Sequence, residues 1–280
     1  MAQSQAHNTY LSGYDRKATQ HHEWRDAGNS AAHLLPVLIE KASKNPILSL
    51  LDVGAGSGTI TASLASYIPR GRVIATDISE EILGKALRHA KSVGALNVEV
   101  RKGSIYELPF EDGSFDVVHA SQLLAHLDDP VNAVREMVRV ARKPGGVVSL
   151  RESDLRAWSF YPEYPGMMAM NQMLCAVHEA NGGNVNAGAQ LVSLGMKVGV
   201  NREQIKASAG TWCYSTREER ELWGGMLADR CINGAAPKKA IELGIASEAQ
   251  LKEMAGGWKK WIDAEDGWFG SMHGEVIFTL

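Results

Sequence analysis

The sequence holds three cysteines, Cys175, Cys213 and Cys231, in 280 residues. They are far apart, odd in number and without metal-ligand spacing. Neither a disulfide framework nor a metal centre is expected, and a reducing compartment fits. No apolar run approaches the ~18 residues of a membrane span. Met1–Tyr10 is polar and lacks the apolar core of a signal peptide, so a cytoplasmic protein with no membrane partner is the expectation. Charge of one sign is missing too: 29 basic and 32 acidic residues leave a net charge of -3. Four basic residues fall between Arg135 and Lys143, but on an amphipathic helical pattern that reads as a solvated face. Nothing forms the basic footprint of a nucleic-acid binder. There is no internal repeat and no low-complexity segment.

What is present is ordinary for a globular chain, with 45% hydrophobic and 22% charged residues. The length is large for one domain but within reach of a doubly wound α/β fold with insertions. Ser30–Lys41 has helical periodicity and is broken at Asn45-Pro46. Ile47–Val53 is a short apolar run stopped by Gly54, which reads as a buried parallel strand. Thr59–Tyr67 reads as a helix, Arg72–Asp77 as a second strand, and Ser79 as the cap of a helix to Lys91. Strands follow at Asn97–Arg101, Phe115–Ala120 and Val147–Arg151, with a helix opened by Pro130 before the last. Alternating strands and helices predict a parallel sheet covered on both faces. Beyond residue 152 the rhythm changes. A helix is expected at about 186–197, a strand at Ile205–Tyr214, glycine-interrupted helices over 216–256 and a strand-like run at Gly274–Leu280.

The strongest motif is LLDVGAGSGTIT, Leu50–Thr61. Glycine there lets the chain turn tightly and lets a ligand approach the backbone. A ligand is expected at the carboxyl end of such a strand, at the switch point of the sheet. Dinucleotide loops read G-x-G-x-x-G/A, but the sixth position here is Thr59. With Asp52 two residues ahead, the E/D-x-G-x-G-x-G form fits S-adenosylmethionine (SAM), which carries no phosphate. Asp77 ends the second strand about 20 residues past the loop, where a carboxylate can take both ribose hydroxyls.

The run Leu50–Arg151 resembles the class I SAM-dependent methyltransferases, and among them the ubiquinone/menaquinone type, through LPFEDGSFDVV (Leu108–Val118) and RVARKPGG (Arg139–Gly146). The flanks His21–Pro36, Gly210–Arg230 and Glu265–Val276 resemble fungal small-molecule methyltransferases of secondary metabolism. The resemblance implies a mostly parallel, seven-stranded, Rossmann-like sheet with helical cap insertions. It divides the chain into an N-terminal helical arm or lid (1–46), a SAM-binding core (47–153), a helical substrate cap (154–200 and 215–260) and final strands (201–214 and 272–280). It also implies that Gly54, Ala55, Gly56 and Thr59 face the methionine part and ribose, that Asp77 holds the ribose and that Ile78 packs on adenine. Gly103, Ser104 and Ile105 fall at the adenine amino group, where relatives usually have an acid in place of Ser104. Ala120 and Ser121 fall beside the methionine end. Relatives often carry histidine where Ser121 stands, so a base role does not carry over. Arg25, with Tyr14 as a lid, resembles the group that binds the SAM carboxylate.

Methyl transfer from a sulfonium needs alignment and water exclusion first. A base matters for a phenol with pKa near ~10 and less for a thiol near ~8.5. His126, Ser121 and Glu152 are the candidate catalytic residues, with His119, His178 and His273 as further histidines, and no single one is singled out. Glu152 and Asp154 could polarise a substrate group or orient Arg151 or Arg156. Gln122, Trp158, Tyr161, Met167, Met168, Trp212 and Trp223 are the expected substrate-side residues, because aromatics and methionines suit a flat apolar molecule. The expected activity is methylation of O, S or N on a small apolar metabolite, in tailoring or detoxification, leaving S-adenosylhomocysteine. The alternatives are a pericyclase and a SAM-sensing regulator on the same fold. The chain is expected as a monomer or homodimer.

Overall fold

The computed structural model describes residues 24–280. Seven strands among them form one sheet: β1 (Ser49–Val53), β2 (Arg72–Asp77), β3 (Val98–Lys102), β4 (Val117–Ser121), β5 (Val147–Tyr161), β6 (Ile205–Tyr214) and β7 (Trp268–Thr279). Their order is β3-β2-β1-β4-β5-β7-β6. The pairs from β3 through β5 are parallel, and β7 runs antiparallel to both β5 and β6.

Leu50 and Leu51 of β1 point to opposite faces of the sheet, and both faces are covered, as in a buried parallel strand. Leu50 joins a core with Leu38, Leu64 and Ile68, under α1 (Ala27–Ser30), α2 (Leu35–Lys44), α3 (Thr59–Tyr67) and α4 (Glu80–Ser92). Leu51 and Val53 join the opposite core with Val134, Met137, Leu191 and Leu194, under α5 (Pro130–Val140) and α7 (Ala187–Lys197). Local signals set the helix starts. Ser79 accepts the Ile82 N–H at 3.3 Å, and Glu80 and Glu81 stand in the first turn of α4, where the helix dipole favours them. Asp129 caps α5 from the Asn132 N–H, with Pro130 at its first position.

A third core lies beyond the sheet. α6 (Met167–Ala180), α8 (Arg217–Ile232), α9 (Ala235–Glu242) and α10 (Glu248–Asp263) bury Met170, Trp223, Trp258 and Trp261 against Trp212, Tyr214 and Phe269 of β6 and β7. No helix among the described residues is long and apolar enough to cross a membrane.

Two expected boundaries change. Residues 154–161, assigned to the helical cap, continue β5, and after a register shift Trp158 pairs with Ser271 and Tyr161 with Trp268. β7 accordingly begins at Trp268 and not near 272. The missed signal is the alternation of Trp158 and Phe160 with smaller or polar neighbours. The helix over 187–197, also assigned to the cap, covers the sheet instead. Gly188 lies so close to the Glu152 carbonyl and to Gly274 that any side chain would collide with both.

Candidate active site

The chain winds outward from β1 through β2 to β3 and then returns to β4 on the other side of β1. The crevice this reversal leaves at the carboxyl ends of the strands is where the sequence places a ligand. A cavity lies there, lined by Val53, Gly54, Ala55, Gly56, Thr59 and Asp77 on one side and by Ser121, Gln122, Leu123, His126 and Arg25 on the other.

The glycine loop owes its shape to left-handed backbone at Gly54 (φ 68°), Gly56 (φ 55°) and Gly58 (φ 77°). A Cβ on Gly58 would lie 2.6 Å from that of Ala86, so this glycine also lets α3 start against α4. The loop is anchored at both ends. The Ala55 N–H donates to the Thr76 carbonyl at 3.0 Å, and Asp52 Oδ2 accepts the Thr61 hydroxyl at 2.5 Å. Burial pushes the Asp52 carboxyl up to about 7, against that hydrogen bond and helped by the charge of Asp77. Asp77 accepts the Gly56 N–H at 3.2 Å through Oδ2 and the Ser79 N–H at 3.1 Å through Oδ1. Burial raises its carboxyl too, while these backbone N–H groups pull it back.

Ile78, Gly103 and Ile105 line the cavity on from Asp77. Ser104 does not: its Oγ accepts the Tyr106 N–H at 3.2 Å and so caps its own turn. Ala120 is buried in the sheet core rather than at the wall. Tyr14 lies outside the described residues.

The far wall is the segment after β4. Gln122 is the single non-glycine residue with positive φ (54°) among the described residues. That turn sends the N–H groups of Leu123, Leu124 and Ala125 toward one carboxylate, Glu152, at 2.8, 2.7 and 3.4 Å. Glu152 is fully buried and does not reach the cavity, so it holds the wall and does not act in the chemistry as a polarising group. Its burial pushes it up to about 7. From the other side, the Ala125 carbonyl accepts the Asn184 N–H and contacts His178 Nε2 at 3.1 Å.

His126 lines the cavity, with its ring 5.4 Å from that of His178. Burial, then the neighbouring His178 and Arg25, lower it to about 4, so it is neutral near pH 7. Ser121 lines the cavity with its hydroxyl buried and unpartnered. His119 faces Ser149 at 3.1 Å inside the sheet and lies off the cavity wall. Arg25 lines the cavity with its guanidinium 5.1 Å from the Trp212 ring centre. Asp154 orients Arg156 at 3.0 Å, and Arg151 pairs with Glu275 at 3.3 Å.

Of the expected substrate-side residues, the structure brings only Gln122 to this cavity. Met167, Trp212 and Trp223 are buried in the cap core, Trp158 packs against it, and Tyr161 and Met168 face solvent. An aromatic residue stabilises a core as readily as it lines a pocket, so composition did not separate the two. Conversely, Ile60, Ile82, Leu123 and Leu127 line the cavity and were not anticipated. Their only signal is position, one turn after a site strand.

A SAM-sized ligand suits this set. Gly56 has open space where a Cβ would stand, Asp77 presents a carboxylate at the loop, and an unpartnered hydroxyl waits at Ser121. Residues 51–150 match the family described as a methyltransferase domain. Over 96% of its length the chain is 32% identical to an uncharacterised methyltransferase of Schizosaccharomyces pombe, covering 95% of that protein. It is 29% identical to the protein named probable methyltransferase ltbC of Aspergillus luteorubrus, over 99% of both chains. The fold is that of the YcgJ protein of Bacillus subtilis, with a TM-score of 0.52, 19% identity, and coverage of 88% of this chain and 97% of that one. The chain belongs to the class I SAM-dependent methyltransferases.

Proposed function

We propose that the protein methylates an O, S or N nucleophile of a small apolar metabolite, in secondary-metabolite tailoring or detoxification. One observation carries this reading: the cavity that starts at the glycine loop and Asp77 runs on to a second wall of Ser121, Gln122, Leu123 and His126. That wall is the acceptor side.

SAM, when bound, supplies an electrophilic methyl carbon and leaves as S-adenosylhomocysteine. Asp77 would hold the ribose hydroxyls, Ile78 and Ile105 the adenine, and Arg25 the carboxylate. Leu123 and Leu127 exclude water from the methyl end, which strengthens the polar contacts made there. His126, held near 4, takes up too little proton near neutral pH to serve a phenol. A thiol near ~8.5 already ionises by a few per cent near neutrality and needs no such base.

The test is incubation with SAM carrying an isotopically labelled methyl and a panel of phenols, carboxylic acids, amines and thiols, read by mass spectrometry. Label on one acceptor class, lost in Asp77→Ala, supports the reading. SAM binding by calorimetry without label on any acceptor overturns it.

A further inference from the structure

Gln122 owes its place in the cavity to a residue 151 positions away in sequence. Its amide Nε2 lies 3.0 Å from His273 Nε2 on β7, and His273 is 1% exposed and off the cavity wall. The backbone there is fixed as well: the Gln122 N–H donates to the Arg151 carbonyl at 2.8 Å, and φ is 54°. A glutamine held in left-handed backbone costs about 1 kcal/mol or more, so its surroundings must over-determine it.

The groups around His273 decide which way the amide points. Behind the ring stands Trp212 of β6 at 4.3 Å, and against Trp212 lie Arg151 at 4.8 Å and Arg25 at 5.1 Å. Burial and these two cations keep the imidazole neutral, and its Nδ1 is buried without a hydrogen-bond partner. The Gln122 amide nitrogen can only donate, so the ring nitrogen 3.0 Å from it accepts and the imidazole proton is on Nδ1. Nε2 is then a lone pair, the Gln122 amide donates to it, and the carbonyl Oε1 is left for the cavity.

The geometry points to Gln122 as the group that takes a hydrogen bond from the acceptor's proton-bearing nucleophile, with His273 as the positioning residue that fixes the orientation of its amide. The inference rests on the methyl-transfer reading above. It adds a selection: a hydroxyl, amine or thiol that still carries its proton is oriented by Oε1, whereas a carboxylate, which has no proton to give, meets a carbonyl dipole of the wrong sign. Trp212, expected among the substrate-side residues, serves instead as the backing that His273 and Arg25 share.

His273→Phe removes the ring nitrogen and keeps the packing on Trp212. With the acceptor that takes label best in a panel of benzenethiol, dithiothreitol, 4-nitrophenol and benzylamine, this variant and Gln122→Ala should each lower kcat/KM for the acceptor about tenfold. SAM affinity by calorimetry should stay within twofold. The double variant should be no worse than Gln122→Ala alone, because both changes remove one interaction. Multiplied losses in the double variant, or kcat/KM within twofold for His273→Phe, overturn the assignment. Long-range 1H–15N spectra of the histidines of the wild-type protein need no turnover and separate this inference from the activity itself. An Nδ1–H tautomer at residue 273 that stays neutral down to pH 5 and changes its Nε2 shift in Gln122→Ala supports it. An Nε2–H tautomer, or titration near 6.5, sinks it even where methyl transfer is established.

Discussion

Leu123 closes over Gly54: a Cβ on that glycine would stand 2.6 Å from Leu123 Cδ2. The wall after β4 therefore rests directly on the glycine loop after β1. Gly54→Ala must either push Leu123 away or move the loop, and the residue keeps a φ of 68° that costs L residues about 1–2 kcal/mol. SAM affinity should fall at least tenfold by calorimetry, with the fold intact by circular dichroism. A Kd within twofold of wild type would show that the contact between the two loops does not shape the site.

Glu152 offers a cleaner separation of charge from shape. Glu152→Gln keeps an acceptor for the Leu123 and Leu124 N–H groups but turns an NH2 toward that of Ala125. A loss of about 1–3 kcal/mol is expected by denaturant melt. Glu152→Ala leaves three buried N–H groups without their acceptor and should cost about 3 kcal/mol or more. Equal stability of Glu152→Gln and wild type at pH 8 would refute a requirement for the carboxylate.

Trp212 donates its Nε1 hydrogen to the Asn29 carbonyl at 2.7 Å and meets the Trp24 ring edge-on at 5.6 Å. It thus docks the segment that carries Arg25. Trp212→Phe keeps a ring for the two arginines and loses that bond, at about 1 kcal/mol. Hydrogen exchange in Ala27–Ser30 should speed up by roughly the same factor. Unchanged exchange there would place the docking elsewhere.

Stability should rise with pH between about 4.5 and 6.5. Burial lowers five imidazoles, His33 and His126 to about 4, His119 to about 3, His273 to about 2, and His178 as well. Their contribution is present above the unfolded value near ~6.5 and is lost as pH falls toward the folded values. Burial raises three carboxyls, Asp52 and Glu152 to about 7 and Asp77 less. Their contribution has the opposite sign: it is present below ~4 and is lost as pH climbs through the folded values. Five imidazoles outweigh three carboxyls, and each net proton is worth about 1.4 kcal/mol per pH unit. A denaturation midpoint at pH 4.5 equal to or above that at pH 6.5 would contradict this.

The sheet core and the cofactor side were legible because they are local. Strand, glycine loop, helix and Asp77 follow one another within about 30 residues, and each carries a backbone requirement that only a few residue types meet. Of the wall after β4, the sequence pointed to Ser121, Gln122 and His126, which line the cavity, but not to the geometry that holds them, which is made by residues distant in sequence. Nothing near Gln122 announces His273, and nothing near Glu152 announces the three N–H groups it collects. Trp212 and Trp223 misled for another reason: a cap built on protruding strand ends needs a core of its own, and large aromatics supply it.

β7 lies between β5 and β6 although it follows both in the chain. As the polypeptide is synthesised, β5 and β6 therefore emerge before the strand that joins them. Until Trp268–Thr279 arrive, two long strand edges with unpaired backbone groups stand open, a known route to aggregation. Shortening the chain before Trp268 would thus remove more than one strand. It would strand β6 from the sheet, take His273 from behind Gln122, and leave a product whose failing is insolubility before it is inactivity.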